Sequence, residues 1–269
     1  MDHGPDGYGR LVVLPLLLAV LVGLVVTQIA MFATTVYLHR GVTHRALTVH
    51  PAFAFTCRFV LWITTGMRQR EWAAVHRQHH AATDTPGDPH SPAVSGFWRV
   101  QLTNAAMYRR VARDGVTVDK YSRDIPTDRY DRWMFDHAGF GLGVGVTILC
   151  LLFMIPFGPW GIALGFVAAA VHLLWYLGLS GAVNAVGHTF GRRPNANSAT
   201  NGWLLALFTW GEGLHNNHHD TPTSARFSRR GWPFDHAWWS IRFLAWVHLV
   251  QVRTMRFAAT SAPGPGASS

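Results

Sequence analysis

Three long stretches with almost no charge decide what this chain can fold into. Residues 11–38 read LVVLPLLLAVLVGLVVTQIAMFATTVYL, and two further runs cover 140–157 and 160–187. A helix crossing the hydrocarbon of a bilayer needs about 20 mainly apolar residues. The first and third runs exceed that length and the second nearly meets it. Helix is also the form lipid permits, because a span must satisfy its own backbone N–H and C=O groups. Between the second and third runs, IPFGPW (155–160) supplies turn residues, so the pair reads as a re-entering hairpin. The first run is too long for the core of a cleaved leader and lacks a small-residue cleavage site. The expectation is an all-α integral membrane protein with about three long spans, forming one domain over residues 1–257. The end, residues 258–269 (AATSAPGPGASS, from Ala258), is low in complexity and is expected to be disordered.

A fourth apolar segment, residues 51–66, is short for a span and carries Arg58 in its middle. A guanidinium at mid-bilayer is expensive, so an interfacial helix is expected there. The aromatic-rich stretch 231–250, with Trp232, Trp238, Trp239 and Trp246, reads as another.

The net charge of +9 comes from arginines lying mainly between and after the apolar runs, such as Arg109, Arg110, Arg229 and Arg230. That placement follows the positive-inside rule, which ordinary cytoplasmic loops obey. Lipid headgroups or an acidic redox partner suit it, and nucleic acid is not expected. The two cysteines, Cys57 and Cys150, sit inside apolar runs and form no disulfide framework or metal knuckle.

Eight of the 16 histidines fall in three short windows: HRGVTH (39–44), HRQHH (76–80) and HNNHH (215–219). In HxxHH the rings at i, i+3 and i+4 share one helical face, so His76, His79 and His80 point together, as do His215, His218 and His219. Neutral imidazole is the commonest metal ligand, and two such triplets plus His39 and His44 read as a metal site. Topology agrees. If residues 51–66 do not cross, two spans separate His80 from His215 and return the chain to its side. All three windows then share one membrane face with the arginine-rich loops, the cytoplasmic face. The histidine-rich part is a cytosolic cap, with the N-terminus outside.

In order and separation these windows resemble the boxes of the membrane-bound fatty acyl desaturases, especially the stearoyl/acyl-CoA Δ9-type branch. The likeness continues in Glu71-Trp72 before the second box and Asp88-Pro89-His90 after it. It extends to NAVGHTFG (184–191) at the close of the hairpin and to GEG (211–213) before the third box, so that it covers about residues 34–220. The resemblance implies a diiron enzyme with O2 as co-substrate. Its two irons (Fe2+/Fe3+) would be held by His39, His44, His76, His79, His80, His188, His215, His218 and His219. Asn184 matches the family's asparagine that holds a metal-bound water. Their division between the irons is left open. Imidazole alone also suits zinc, copper or nickel, but hydrogen removal from an unactivated methylene needs a redox metal. Groups that orient the rings are expected behind them. Glu212 stands three residues before His215, and Asp84, Asp88 and Asp220 follow their boxes, where a helix-capping or loop role serves as well. Asn216 and Asn217 read as polar spacers. His172 reads as an interhelical hydrogen-bonding group, His90 sits in the family-like Asp-Pro-His but outside the boxes, and His50, His137, His236 and His248 have no partner pattern.

The family implies a fatty acyl substrate and a separate electron donor of ferredoxin, rubredoxin or cytochrome b5 type, since no haem-binding or ferredoxin-like segment is evident. Two departures stand out. Ala74 and Val75 occupy the places of an Arg-Asp pair that seats the CoA headgroup in the animal enzymes. This leaves acyl-CoA, acyl-carrier protein and lipid-linked substrates all open. The first of the family's four spans also has no counterpart among the three runs, a place that a partner subunit could fill. Desaturation is the leading reading. Hydroxylation, ketolation or acetylene formation at the same kind of site is the alternative. A histidine-lined metal transporter is the non-enzymatic one. The membrane would be the plasma membrane of a bacterium or the endoplasmic reticulum of a eukaryote.

Overall fold

A computed structural model describes residues 5–229 and 235–253, with side chains from Val13 onward. The tail at 258–269 and Trp232 lie outside them. In chain order the elements are α1 (Pro5–Ala33), which runs without a break into a π-helix (Thr34–Thr43), then β1 (Leu47–Val49), α2 (Pro51–Thr64) and α3 (Gln69–Ala82). Next come α4 (Pro92–Ser95), α5 (Phe97–Ala112), α6 (Gly115–Tyr121) and a π-helical turn (Asp131–Phe135). The hairpin α7 (Ala138–Phe157) and α8 (Trp160–Thr189) follows, then α9 (Trp203–Phe208), α10 (His215–Asp220), α11 (His236–Trp246) and β2 (Val250–Val252). The described chain is all-α but for β1 and β2. These pair antiparallel with Leu47 opposite Val252, tying the end of the described chain to the segment after the first histidine box.

Among the described residues three helices are long and apolar enough to cross a membrane: Val13–Thr43, Ala138–Phe157 and Trp160–Thr189. Each matches an expected run. The first and third extend past its end, and those extensions carry His39 and His188. Hydropathy ends a span where polar side chains begin, whereas the backbone helix continues into the cap.

The spans are held by close approach of backbones, which small residues permit and lipid does not oppose. A Cβ added at Gly23 would lie 2.5 Å from the Ala168 carbonyl oxygen, and one at Gly165 2.4 Å from the Cys150 Cα. Around these contacts Ala19, Leu149, Phe153, Leu164 and Ala168 are buried together. The outer faces keep Leu14, Leu21, Phe166 and Leu174 exposed, as hydrocarbon requires. Gly158, at φ 60°, takes the left-handed conformation that turns α7 into α8.

The Pro51–Thr64 helix packs beside α7, where the Ile63 carbonyl comes within 2.0 Å of a Cβ placed at Gly145. Arg58 is not left in hydrocarbon. It bonds Asp128 at 2.6 Å and Asp131 at 2.5 Å, and its guanidinium lies 4.2 Å from the centre of the Phe135 ring. His172 does bridge helices, with Nδ1 3.0 Å from the Thr27 hydroxyl and Nε2 2.9 Å from the Thr64 carbonyl.

Candidate metal centre

The first box depends on an unusual helix. Residues five apart on an α-helix diverge by about 140° at 3.6 residues per turn, so HxxxxH cannot aim both rings one way. In Thr34–Thr43 the bonds widen to i→i+5, seen in the His44 N–H donating to the His39 carbonyl at 3.0 Å. That pitch brings residues five apart onto one face. His39 and His44 then meet with ring centroids 4.9 Å apart. The HxxHH boxes need only α-helix and lie in α3 and α10.

The rings gather in two groups, a division that sequence left open. His39, His44, His76, His80 and His218 form one, and His79, His188, His215 and His219 the other. Adjacent members of each triplet part company: His79 from His80, and His218 from His219. In the first group the Nε2 atoms follow one another along His44, His76, His80, His218 and His39 at 3.1, 3.0, 2.9 and 3.0 Å. In the second, His219 Nε2 lies 3.2 Å from that of His215 and 3.3 Å from that of His79. His188 Nε2 is buried without any hydrogen-bond partner.

This spacing fits a metal. Ligands about 2.1 Å from an ion and 90° apart lie about 3.0 Å from one another, and at tetrahedral angles about 3.4 Å. The first group has the octahedral edge, with five rings on it. The protonation states agree. Burial and the mutual repulsion of neighbouring rings hold His44, His76, His79, His215, His218 and His219 far below the ordinary imidazole range, and His80 at about 3. Neutral rings with converging lone pairs offer ligand atoms.

Carboxylates stand behind three rings. Asp88 accepts from His79 Nδ1 at 2.9 Å, Asp84 from His188 Nδ1 at 2.9 Å, and Glu212 from His39 Nδ1 at 2.6 Å. Each such bond turns Nε2 toward the cluster. Glu212 therefore serves His39 and not His215, the ring its spacing indicated, because α10 begins only at His215 and Glu212 precedes it in a turn. Asp220 does not reach the rings; it pairs with the half-exposed Arg229. Asn184 donates to Asn104 at 3.0 Å.

Other residues were hidden from sequence reading. Asn216 and Asn217 are struts, not spacers. Asn216 accepts from the Asn195 backbone N–H and donates to the Ala199 carbonyl, both at 2.9 Å, while Asn217 donates to the Phe227 carbonyl at 2.9 Å. Arg40 is fully buried, stacked 3.8 Å over Phe227 and bonded to Asp235 at 3.1 Å. Gly211, at φ 93°, is required there, since a Cβ would meet the Asp235 carboxylate at 2.7 Å. His90 is buried 4.8 Å from the His79 ring, with both ring nitrogens unpartnered. The Asp-Pro-His motif was the available signal.

A cavity of about 590 Å³ passes the first cluster, with His39, His76, His90, Asn184 and Glu212 in its wall. Arg68, Glu71, Arg109 and Arg113 line its charged part. Along α8 its lining runs from Asn184 back to His172, twelve residues or about 18 Å of helix. At that end His172 is bonded to Thr27 and Thr64.

The profile of the fatty acid desaturase family matches residues 12–253, nearly the whole of the described chain. The chain belongs to the fatty acid desaturase family. An acyl-CoA C20 Delta5-desaturase of Anemone leveillei is 31% identical over 228 residues, covering 81% of this chain and 68% of that protein. An sn-1 stearoyl-lipid 9-desaturase of Synechocystis is 30% identical, covering 81% of this chain and 65% of its own length. The Delta-9 acyl-lipid desaturase 1 of Arabidopsis thaliana is 28% identical, covering 84% and 72%. The matched part thus spans about two thirds of these relatives. Desaturases are oxidoreductases that act on lipids, in keeping with the apolar helices and the histidine clusters.

Proposed function

We propose that this chain is an O2-dependent diiron desaturase that introduces a double bond into a fatty acyl chain. The observation that carries the reading is the cavity: it takes His39 and His76 of the first histidine group into its wall and then continues about 18 Å along α8 between apolar helices. His39, His44, His76, His80 and His218 would hold one iron, and His79, His188, His215 and His219 the other, with Asn184 beside it through water. Bound iron and O2 supply the oxidising power that hydrogen removal from a methylene requires, which zinc cannot.

The chain's own residues do the rest. Glu212, Asp84 and Asp88 orient the rings. Met31, Leu142, Leu173, Tyr176 and Leu177 line the apolar path and exclude water from the reacting carbons. The guanidinium groups of Arg68, Arg109 and Arg113 offer charge to the carrier end of the substrate. Val75 lines the same cavity beside the buried Ala74, so neither position offers a headgroup ligand. The similar proteins are named for both acyl-CoA and acyl-lipid substrates, and carrier protein stays a third possibility for this chain. The histidine cap would face the cytoplasm, where a separate ferredoxin, rubredoxin or cytochrome b5-type protein delivers electrons.

The test is expression in a host of defined acyl composition beside a His79→Ala variant, with iron analysis and lipid mass spectrometry. About two irons per chain and a new unsaturated acyl species that vanishes in the variant support the reading. Iron with only hydroxylated product moves the chain to the sister chemistry, and absence of iron rejects the diiron centre.

A further inference from the structure

The two histidine groups lie in different electrostatic settings. The second, around His79 and His188, has two carboxylates on its rings, Asp88 and Asp84, at 2.9 Å each. Among the described residues no guanidinium bonds either carboxylate. Asp84 takes the Ser91 hydroxyl at 2.7 Å, and Asp88 takes the backbone N–H groups of Asp84 and His90 at 2.9 and 3.0 Å. Arg193 reaches only the His188 carbonyl, at 3.4 Å, from an exposed position.

Among the described residues the first group has a single carboxylate bonded to its rings, Glu212 on His39, and that carboxylate faces a cation. Arg40 Nη1 lies 3.9 Å from Glu212 Oε1, and Nη2 lies 3.1 Å from Asp235 Oδ1. Arg40 is shut off from water, and Glu212 and Asp235 are 6% and 1% exposed, so these charges act with little screening. Asp235 is fixed in turn, accepting from the backbone N–H groups of Phe227 at 2.6 Å and Trp238 at 3.1 Å. A second guanidinium, Arg77, reaches the Val42 carbonyl at 3.1 Å and the Thr43 carbonyl at 3.0 Å, next to His44, with its charge shared by Asp124. The first group also supplies five imidazole nitrogens against four.

Negative charge around a metal stabilises its higher oxidation state, and positive charge the lower. We propose that the second group holds the iron that is oxidised first, and that Arg40, held in place by Asp235, keeps the iron of the first group ferrous to higher potential. This rests on the diiron reading above. It makes Arg40 and Asp235 positioning residues for charge: neither lies in either ring group, and both act through Glu212 and His39. The difference gives the two irons unequal roles in taking up electrons from the donor.

The experiment is a stepwise oxidation of the full chain in detergent, loaded with 57Fe(II) and followed by Mössbauer spectroscopy. Ferricyanide takes one electron from each iron, Fe2+ becoming Fe3+ and ferricyanide becoming ferrocyanide, with no bond made or broken. The expected wild-type result is a half-oxidised sample with one ferric and one ferrous site per chain. The two sites should differ at least tenfold in their oxidation equilibria, about 59 mV for one electron. Asp88→Asn keeps an acceptor for His79 but removes a charge, so it raises the potential of the site that oxidises first. Arg40→Met lowers that of the other, and each substitution narrows the gap from its own side. Arg40→Lys preserves it. Asp235→Asn, which leaves Arg40 less neutralised, widens it and serves if Arg40→Met does not fold.

Parallel oxidation of both sites in the wild type overturns the proposal. So does earlier oxidation of the site that responds to Arg40→Met, or a gap that neither Arg40→Met nor Asp235→Asn alters. A purely structural role for Arg40 would change iron retention without these opposite shifts. A wild-type chain that holds no pair of irons counts against the diiron reading instead.

Discussion

The histidine cap and the three spans are specified in opposite ways. In the cap, identity matters: Asn216 is completely buried and its side chain bonds Asn195, Asn197 and Ala199, and each orienting carboxylate reaches one ring nitrogen. In the spans, size matters: Gly23, Gly145 and Gly165 sit where a methyl group would strike backbone, while their lipid-facing neighbours need only be apolar. Water drives no association inside a bilayer, so close packing must hold the helices there. Where polar groups are buried, each must find its partner or lose its desolvation energy. The histidine clusters stand where the two regimes join, at the ends of α1 and α8.

The sharpest way to break this comparison is Gly145→Val. Its side chain would collide with the Ile63 carbonyl, which belongs to helix backbone and cannot move aside. A loss of more than about 3 kcal/mol is expected, seen as a collapse of folded yield and melting temperature in detergent. Preserved stability would mean that α2 does not pack against α7 as described. Asn216→Leu, similar in size, comes next. It strands several buried polar groups at about 1–3 kcal/mol each, and iron affinity should fall tenfold or more by equilibrium metal analysis. An unchanged iron content would show that size, not identity, also governs the cap.

Acid sharpens the contrast. The folded rings titrate far below their unfolded value near 6.5, with His80 at about 3. Below pH 6.5 the unfolded chain takes up protons that the folded cap refuses. Stability and iron retention should therefore hold above that pH and decline between about 6.5 and 3. The spans are held instead by close backbone contacts. Iron release measured against pH, beside helicity, separates the two regions, and parallel loss of both would merge them. Asp220→Asn should do least. Its partner Arg229 is half-exposed, and removal of the pair should cost under about 1 kcal/mol with iron content unchanged.

Much of this was legible from residue order. The three charge-free runs located α1, α7 and α8 to within a few residues, because hydrocarbon imposes both length and apolarity. Both HxxHH boxes proved helical, as did Pro51–Thr64, whose Arg58 finds its carboxylates outside that helix. Less was legible where a residue's partner is distant in sequence. Glu212 was singled out for its nearness to His215 and instead touches His39, 173 positions away, across the fold. Asp235 carried no signal at all, since an aspartate before a helix looks like a cap; it is one, and it also holds Arg40.

By itself, then, the sequence determined the membrane helices, the all-α class and the presence of a histidine-rich site, for these follow from hydropathy and from spacing within one helical turn. Only the tertiary structure decided which rings share a cluster, splitting His79 from His80 and His218 from His219. It also decided which carboxylate faces which ring, and where the cavity runs. The reason is geometric: neighbours on one helix face can turn to different partners, and only the packing of α1, α3, α8 and α10 against one another sets where their lone pairs converge.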